Sequence, residues 1–581
     1  MAEKLKVLLT TEGTYPFHQG GVSTWCDILV NKMPEYEFVV YSIIMNPYVT
    51  QKFTLPANTE LIRLPLWGTE EPSESLSIPF SQVYLSKKRT TTAVIEEKFI
   101  VLFTALIEEF TASKKNSSRL GKILLDMNFF FETYEYKATF KSKVVWECFK
   151  NQMLQMSNNG QSGFSEPNIF SLIQSLGWVY RFLNVVNTPI PEVDVSHSAA
   201  AAFCGVPCVL AKLKNGTPFL LTEHGVYLRE QYFSLSQRGY ISYMNTFLIR
   251  MIQSVVELNY YYADQVSPVC EYNTRWEKEF GVPHKNIKVI YNGVDSSVFT
   301  PGIAHEKNIN PIIVTVARID PLKDIKTLIK SAEKVLIEIP EAEFHVFGSI
   351  AVPKYYEECL ALIKECRLEK HFIFKGHITD IPSAYRSGDV VVLSSISEAF
   401  PYSIVEAMLV GKSIVATDVG GIGEALGETG ILVAPGDSEA LSKSIVKLIK
   451  DHELRNFLSV EARERALNYF TLDRVLKLYS SSYSELAARK YAVCVEIDVF
   501  IKIQLLLDKA YALKTIKREQ EAINHFKAAL KLKPSNEVVL KILLDLSQLT
   551  SEMGRPIESK LIEDQANALQ IVLNMKKQGV A

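Results

Sequence analysis

The chain has 581 residues, of which 47% are hydrophobic and 22% charged, and its formal net charge is -2. This length predicts two to four domains, and the composition is ordinary for a globular protein. A charge so close to zero provides no basic field, so nucleic acid is not an expected partner.

The cysteines and the apolar stretches of the sequence indicate the cellular compartment of the protein. The eight cysteines form no Cys-x-x-Cys pair, so we expect free thiols in a reducing cytoplasm. The N-terminus leads into a predicted strand without the apolar region of a signal peptide. The longest weakly polar run, residues 198–211, is too short to span a bilayer. We therefore predict a cytoplasmic protein, and a peripheral position at the inner face of the cell membrane is left open.

The first predicted unit is a strand, a glycine-bearing loop and a helix. Residues 7–10 are the apolar strand, and the loop carries Gly20 and Gly21. Glycine lets backbone N–H groups approach a ligand closely, and the helix start adds a positive dipole end. Taken alone, the loop is better explained as a plain strand-to-helix turn. A second strand is predicted over residues 38–44.

Residues from about 70 to 185 interrupt the alternation of strands and helices. They contain amphipathic helical stretches, such as residues 92–110, and an aromatic cluster at 129–136. No catalytic motif lies there, so the sequence predicts a helical insertion packed on the first domain. An acceptor or partner surface is the alternative.

Alternation returns with a predicted strand at 193–197 and another that ends just before His224. A lone histidine is more often structural, yet the carboxyl ends of strands are where open α/β sheets bind ligands. We therefore favour a functional role for His224. Residues 264–267 and 288–295 close the first domain.

A buried strand at 312–317 opens the second predicted domain. Arg318 follows it directly, and Lys323 precedes a helix that begins near Asp324. A diphosphate would bind at such a strand end and helix start, where Arg offers a forked contact and Lys a point charge. A solvated basic pair is the alternative.

Residues 394–411 are the most informative stretch. A strand is predicted just before them, Pro401 begins a helix and Gly411 ends it. Glu398 then lies in the loop, whereas Glu406 lies inside a helix whose neighbouring residues are nearly all apolar. A buried carboxylate without a partner is costly, so Glu406 needs either a donor in the fold or a ligand. The alternative is a surface glutamate on a helix that only looks buried.

The spacing Glu398-x7-Glu406, within a strand–loop–helix unit, resembles the Glu-x7-Glu motif of the retaining glycosyltransferases of family GT4. Further motifs follow in the family's order: the Gly-Gly-Val loop at 20–22, Thr-Glu-His-Gly at 222–225, Asn-Gly-Val-Asp at 292–295 and the Arg-x4-Lys pair. The resemblance covers about residues 5 to 490. Within the family it is strongest to the PelF-like branch, the polymerases of Pel exopolysaccharide systems.

The resemblance implies an α/β protein with the GT-B fold, in which two Rossmann-like domains face each other across a cleft. Residues 1–300 would form the first, acceptor-side domain, and residues 301–470 the nucleotide-sugar domain. A helix over 471–490 would return to brace the first domain. Residues 491–581 would form an all-α tail, in which residues 517–536 resemble the second half of a tetratricopeptide repeat.

The same resemblance implies a role for each site residue. Four residues would be catalytic: Arg318 and Lys323 on the leaving diphosphate, Glu398 on the sugar hydroxyls and His224 on the sugar from the first domain. Glu406 would hold the ribose, and residues 418–424 would form a backbone nest for anions. No metal and no other cofactor is expected, because the sequence contains no Asp-x-Asp. The predicted donor site comprises Gly20, Gly21, Arg318, Lys323, Ile378, Glu398, Phe400, Pro401, Tyr402, Ser403 and Glu406.

These features predict a metal-independent, retaining hexosyltransferase. It would move a sugar from UDP-glucose or a UDP-N-acetylhexosamine to a growing exopolysaccharide, with membrane proteins of an export complex as partners of its tail. A catalytically degenerate scaffold in such a complex is the alternative. A retaining glycosidase is less expected, since its two carboxyls must lie about 5 Å apart and it leaves Arg318 and Lys323 unexplained.

Overall fold

The computed structural model describes residues 4–67, 78–159, 163–302, 310–515 and 517–577, with the backbone alone for 491–502, 505 and 575–577. The chain divides into two compact units, Met1–Ala487 and Ala488–Ala581. The first unit contains two parallel sheets of six strands, and each sheet is the centre of one domain.

The first domain is built on six parallel strands. They are β1 (Leu5–Glu12), β2 (Tyr36–Ile44), β3 (Glu60–Pro65), β4 (Val195–Ser198), β5 (Phe219–Glu223) and β6 (Gln265–Pro268). Their order across the sheet is β3-β2-β1-β4-β5-β6. Strands β4, β5 and β6 are buried throughout, as expected where helices cover both faces of a parallel sheet. Strand β3, an edge strand that pairs with β2 alone, was not predicted.

Helices pack around this sheet, and those between β3 and β4 form the predicted insertion, whose residues 70–77 and 160–162 lie outside the described part. A π-helical turn at Ile95–Phe99 joins α3 to α4. The helices are α1 (Gly21–Lys32), α2 (Phe80–Arg89), α3 (Thr92–Val94), α4 (Ile100–Thr111), α5 (Ser117–Thr133), α6 (Tyr136–Phe140), α7 (Lys143–Asn158), α8 (Ile169–Phe182), α9 (Asn184–Asn187), α10 (Val206–Asn215), α11 (Tyr227–Ser236), α12 (Ser242–Tyr262) and α13 (Thr274–Glu279).

The insertion shares one hydrophobic core with the first domain. Phe99, Phe103 and Phe149 are fully buried in the same cluster as Leu8 of β1 and Tyr41 of β2. The helices of the insertion therefore complete this domain. By length and mean hydropathy alone, one stretch among the described residues, Ile169–Asn187, could cross a membrane, and half of it is buried inside the domain.

The second domain repeats the architecture. Its strands are β7 (Ile312–Val316), β8 (Glu343–Phe347), β9 (Phe372–Gly376), β10 (Val390–Leu393), β11 (Ser413–Thr417) and β12 (Ile431–Val433), in the order β12-β11-β10-β7-β8-β9. Its helices are α14 (Ile325–Glu338), α15 (Pro353–Glu365), α16 (Ile381–Arg386), α17 (Tyr402–Leu409), α18 (Ile422–Leu426), α19 (Ser438–Lys450) and α20 (His452–Tyr469).

Strand order reverses beside the first strand of each sheet. Strand β1 lies between β2 and β4, and β7 lies between β8 and β10. The chain therefore leaves β1 and β7 at the switch points where open parallel sheets bind ligands. The predicted α/β class with two Rossmann-like domains is confirmed.

A long helix, α21 (Leu472–Thr515), follows the second domain. Its first half packs on the first domain through Val475, Tyr479 and Tyr483, which join Val7 and Trp25 in one core cluster. A helix that returns to the first domain was predicted, but over residues 471–490 only. The structure continues it to Thr515, because residues 472–515 contain neither glycine nor proline to end it.

The second unit is all-helical, as predicted for the tail. After the end of α21 it contains α22 (Glu519–Lys531), α23 (Asn536–Glu552) and α24 (Pro556–Lys577). Three positions from the repeat-like pattern, Ala522, Phe526 and Ala529, are fully buried in its core. The resemblance of this unit to a tetratricopeptide repeat stays a prediction.

Candidate functional site

The loop after β10 carries the first glutamate of the Glu-x7-Glu pair. Glu398 forms an ion pair with Lys323, and the two side chains are only 11% and 19% exposed. The hydroxyl of Ser395 also donates to Glu398 Oε1 at 2.7 Å. A Cβ on Gly420 would lie 1.7 Å from the Glu398 carbonyl oxygen, so only glycine fits there. The Glu398 loop is therefore held through the Glu398 side chain, by Lys323 and Ser395, and through its backbone, which lies against Gly420.

Lys323 is positioned by the turn between β7 and α14. Asp320 accepts from the Leu322 N–H at 2.9 Å, and Asp324, at φ +43°, caps α14. The hydroxyl of Ser394 donates to the Lys323 carbonyl at 2.9 Å, which ties this turn to the β10 loop. These contacts place the Lys323 ammonium against Glu398, a pairing that the sequence analysis did not predict.

Arg318 lies at the carboxyl end of β7, as predicted. Its side chain is 61% exposed, and its nearest acidic group is the Asp320 carboxylate at 3.6 Å. An exposed ion pair of this length holds a guanidinium only weakly. Within the described residues, the fold therefore holds the Arg318 guanidinium only by this contact.

Glu406 lies on α17 with buried neighbours on both sides. Its Oε2 accepts a hydrogen bond from the Tyr385 hydroxyl at 2.8 Å. Burial raises the pKa of Glu406 to about 7, although this hydrogen bond opposes the effect. The sequence predicted either a donor in the fold or a ligand for Glu406. The structure supplies one donor, the Tyr385 hydroxyl, which leaves the second oxygen of Glu406 available to a ligand.

His224 follows β5 on the first domain. Its ring packs edge-on against Trp25, with the centroids 4.6 Å apart. Burial lowers the pKa of His224 to about 3, so the imidazole is neutral. Its Nε2 is buried and has no hydrogen-bond partner in the described part of the chain. A buried polar atom without a partner needs an explanation, and a ligand group is one.

The glycine loop faces the second domain. Gly20 caps α1, and a Cβ on Gly21 would lie 3.6 Å from the Tyr402 ring. The Tyr402 hydroxyl is buried and has no partner within the described residues. Gly21 and the first turn of α17 therefore meet across the boundary between the domains.

Of the remaining predicted donor residues, Phe400, Pro401 and Ser403 surround the start of α17, and Ile378 follows β9. Phe400 and Pro401 are buried and Ser403 is half-buried. The Phe400 carbonyl accepts from Asn292 Nδ2 at 2.9 Å, which is a second contact between the domains. Ile378 packs on the cluster of Val314, Phe347 and Ala384.

The loop at 418–424 also makes contacts that the sequence did not predict. Its Gly421 N–H donates to the Ala399 carbonyl at 2.7 Å, and a backbone nest for anions in this loop stays a prediction. Glu424 reaches the first domain, where it accepts from the Glu271 N–H at 2.9 Å and the Tyr291 hydroxyl at 2.6 Å. This loop thus fixes the Glu398 loop and joins the two domains.

No group of three His, Cys, Asp or Glu side chains within the described ranges could hold a metal ion. The Lys323 and Arg318 side chains are the cations predicted for this site. That the reaction needs no metal stays a prediction.

Comparison with known families separates the two domains. Residues 5–285 match a domain of unknown function (DUF3492), and residues 302–465 match the model described as glycosyl transferases group 1. The match to glycosyl transferases group 1 spans the second domain and includes Arg318, Lys323, Glu398 and Glu406, whereas His224 lies in the stretch that matches the domain of unknown function.

Curated relatives match part of the chain. N-acetyl-alpha-D-glucosaminyl L-malate synthase of Bacillus anthracis is 25% identical over 213 residues, which are 35% of this chain and 54% of that protein. The chain thus spans about half the length of the curated relatives it matches.

Two solved structures cover most of the chain. Sucrose-phosphate synthase from Thermosynechococcus elongatus is 17% identical, with a TM-score of 0.54, over 84% of this chain and 100% of its own. Anabaena HepE, solved with UDP and glucose, is 16% identical, with a TM-score of 0.50, over 83% of this chain and 100% of its own. At these identities the likeness shows the fold alone, and it confirms the predicted GT-B arrangement.

Proposed function

We propose that the protein is a retaining glycosyltransferase that moves a sugar from a UDP-sugar to a polysaccharide acceptor without a metal. The contact of Lys323 with Glu398, beside the exposed Arg318, carries this proposal. This contact places a cation that would bind the leaving diphosphate next to a carboxylate that would bind sugar hydroxyls, at one edge of the second sheet. The family match of residues 302–465 supports the class of reaction.

The donor is UDP-glucose or a UDP-N-acetylhexosamine. Two similar proteins support this choice: HepE was solved with UDP and glucose, and the Bacillus anthracis relative is named for a glucosaminyl product. In this chain the exposed Arg318 turns from Asp320 to the diphosphate, and Lys323 divides its hydrogen bonds between the diphosphate and Glu398. Charge that grows on the leaving diphosphate is then stabilised by two cations.

The ribose and the sugar use the two glutamates. Glu406 accepts hydrogen bonds from ribose hydroxyls through the oxygen that Tyr385 leaves free. Glu398, held by Lys323 and Ser395, accepts from hydroxyls of the transferred sugar. The neutral His224 offers the sugar a hydrogen bond through Nε2, which has no partner in the described structure. Closure of the cleft then excludes water from the reacting atoms.

The acceptor and the partners follow from the resemblance to exopolysaccharide polymerases. We place the protein in the cytoplasm, where it extends a polysaccharide and hands it to membrane proteins of an export complex. The all-helical second unit, which carries none of the donor-site residues, is the part proposed to dock on them. Its resemblance to a repeat that binds through stacked helices supports this assignment.

Titration calorimetry with UDP tests the donor site. Lys323→Ala and Arg318→Ala should each weaken UDP binding about 10- to 100-fold, since each removes a charged hydrogen bond. Lys326→Ala is the matched control, because Lys326 lies on the adjacent α14 and pairs with Glu358 on the surface. Affinities of both site variants within twofold of the unaltered protein would refute the assignment.

A further inference from the structure

The first domain contains a cavity of about 300 Å³ at the carboxyl edge of its sheet. Ile44 at the end of β2 and Leu66 just after β3 form one side, and Leu248, Met251 and Ile252 of α12 form another. All five are at least 90% buried as residues of the core. A volume near 300 Å³ lies at the small end of the range for ligand pockets. It has room for one ring or a short chain.

Aromatic rings form the remaining wall. Trp67 and Trp178 meet edge to face with centroids 5.1 Å apart, and Phe182 stacks on Trp178 at 5.0 Å. The guanidinium of Arg181 covers Trp67 at 4.3 Å. Trp178 and Phe182 lie on α8, so the helical insertion builds this wall. These contacts fix the rings and keep the cavity from closing by side-chain rotation.

The cavity offers few free polar groups. Both Glu12 oxygens are occupied, one by the Tyr227 hydroxyl at 3.1 Å and the other by the Cys204 N–H at 3.3 Å. Burial raises the pKa of Glu12, which disfavours its charge. The other polar side chains of the lining are Gln231, which is half-buried, and Arg238, which is exposed. These two cannot pair all the hydroxyl groups of a polyhydroxylated ring, whereas an aliphatic chain would gain from burial against the apolar majority of the lining.

Two stretches of chain that line the cavity continue into the proposed reaction site. Glu12 and Gly13 line the cavity and begin the loop that ends at Gly20 and Gly21. Tyr227 also lines it, three residues after His224. The cavity is therefore on the first-domain side of the cleft, where an acceptor approaches a donor held by the second domain.

We propose that this cavity binds an aliphatic chain on the first acceptor, so that the polysaccharide is started on an amphiphile rather than on a free saccharide. This inference rests on the proposed function, because it assigns the first domain to the acceptor. The chain lies between the aliphatic side chains of α12 and the Trp67–Trp178 wall. The sugar that receives the transfer then lies outside the cavity, toward His224.

Alkyl glucosides of increasing chain length test the proposal on the full chain. Titration calorimetry with methyl, butyl, hexyl and octyl glucoside below micelle formation should show affinity rising by a factor of about four per methylene, until the cavity is full. Saturating UDP should leave this binding in place, because the two ligands occupy different domains. An affinity that does not depend on chain length would overturn the proposal, and so would exclusion of octyl glucoside by UDP.

Two tryptophan variants locate the binding. Trp178→Ala removes the cavity wall and should weaken octyl glucoside at least tenfold. Trp146→Ala is the control, because Trp146 is also a half-buried tryptophan of the insertion but does not line the cavity. An equal loss of octyl glucoside affinity in both variants would show that the alkyl chain binds outside the cavity. UDP affinity in the same samples reports on the fold and on the donor site, so failure of this inference and failure of the proposed function give different results.

Discussion

Glu406 is a carboxyl whose protonation is set by its place in the fold. The apolar helix around it removes water, and the Tyr385 hydroxyl is its one described donor. Burial raises its pKa to about 7. Near neutral pH the group therefore exists in both forms, and only the carboxylate accepts two ribose hydroxyl hydrogen bonds.

We predict that UDP binding depends on this ionisation. Affinity should rise as pH increases through about 7, because the carboxylate form becomes dominant. Glu406→Gln should bind UDP more weakly at every pH and keep only the dependence that ionisation of the UDP terminal phosphate causes, while Glu428→Gln, an exposed control on the same domain, should keep the full dependence. Calorimetric titrations from about pH 6 to about pH 8 measure the effect. A pH profile shared by the Glu406→Gln variant and the control would remove Glu406 from the ribose site.

A second pair of buried carboxyls lies beneath His224. Glu223 accepts a hydrogen bond from the Tyr260 hydroxyl, and its carboxyl shares a hydrogen bond with the Glu277 carboxyl, which requires a proton on one of the two. Burial raises the pKa of Glu277 to about 7. Burial also raises that of Glu223, and the neighbouring Glu277 carboxyl adds to the effect. The pair is stable in the fold only while it retains a proton.

This pair makes folding stability fall as pH rises. The folded protein holds the Glu277 proton up to about pH 7, whereas the ordinary pKa of a glutamate is 4.5. Stability is thus fully present below the lower value and is lost between the two. Glu277→Gln should reduce the decrease in Tm between about pH 5 and about pH 8. Glu279→Gln, exposed on the same helix, should leave it unchanged, and an equal decrease in all three proteins would contradict the account.

The sequence showed the polar site residues but not their partners. Glu398, Glu406, Arg318 and Lys323 stand out because each follows a strand or interrupts an apolar helix. Their contacts were not predictable, since Lys323 and Glu398 are 75 residues apart and Tyr385 and Glu406 are 21 apart. Which side chains meet depends on strand order, and strand order is a property of the whole sheet.

At the scale of elements, α21 is the main connection back to the first domain. Tyr483 reaches His197 Nδ1 at 2.8 Å, and His197 Nε2 contacts the Thr222 hydroxyl at 2.8 Å. Trp25 donates to the Tyr479 hydroxyl at 3.2 Å. The helix therefore braces β4 and β5, and β5 ends immediately before His224.

We predict that Tyr483→Phe destabilises the protein by about 1–3 kcal/mol, because it leaves a buried imidazole nitrogen unpaired. Urea denaturation of the full chain, monitored by near-UV circular dichroism, measures the loss in the free energy of unfolding. Tyr469→Phe is the control, since Tyr469 is exposed and on the neighbouring α20. A stability of the Tyr483→Phe variant equal to that of the control would show that the hydrogen bond to His197 contributes nothing.

Element boundaries were predictable where the sequence contains a stop or a start. Gly411, at φ +73°, ends the α17 region as predicted. The predicted end of a helix at residue 490 had no such signal, and the helix continues. Strand β3 was missed because it is an edge strand whose central residues, Ile62 and Arg63, are partly or fully exposed, so its pattern is weak.

At the scale of the molecule, the two-domain architecture was predictable because each domain contains strand–loop–helix units that can be recognised from local sequence. The contacts that join the two domains were not predictable. Glu424 binds the backbone at 271–272, and Gly21 approaches Tyr402, across separations that no local pattern encodes. These contacts join the first domain to the second, and the proposed reaction needs both.

The most direct test of the central claim is the stereochemistry of turnover. The purified full chain is incubated with UDP-glucose or UDP-N-acetylglucosamine and an alkyl glucoside, with and without EDTA, and proton NMR records the first product. We predict an α-linked product, or the α-sugar if water accepts, at the same rate in EDTA, and no product from Lys323→Ala. A β-configured first product, a requirement for metal, or turnover that survives loss of Lys323 would contradict the account.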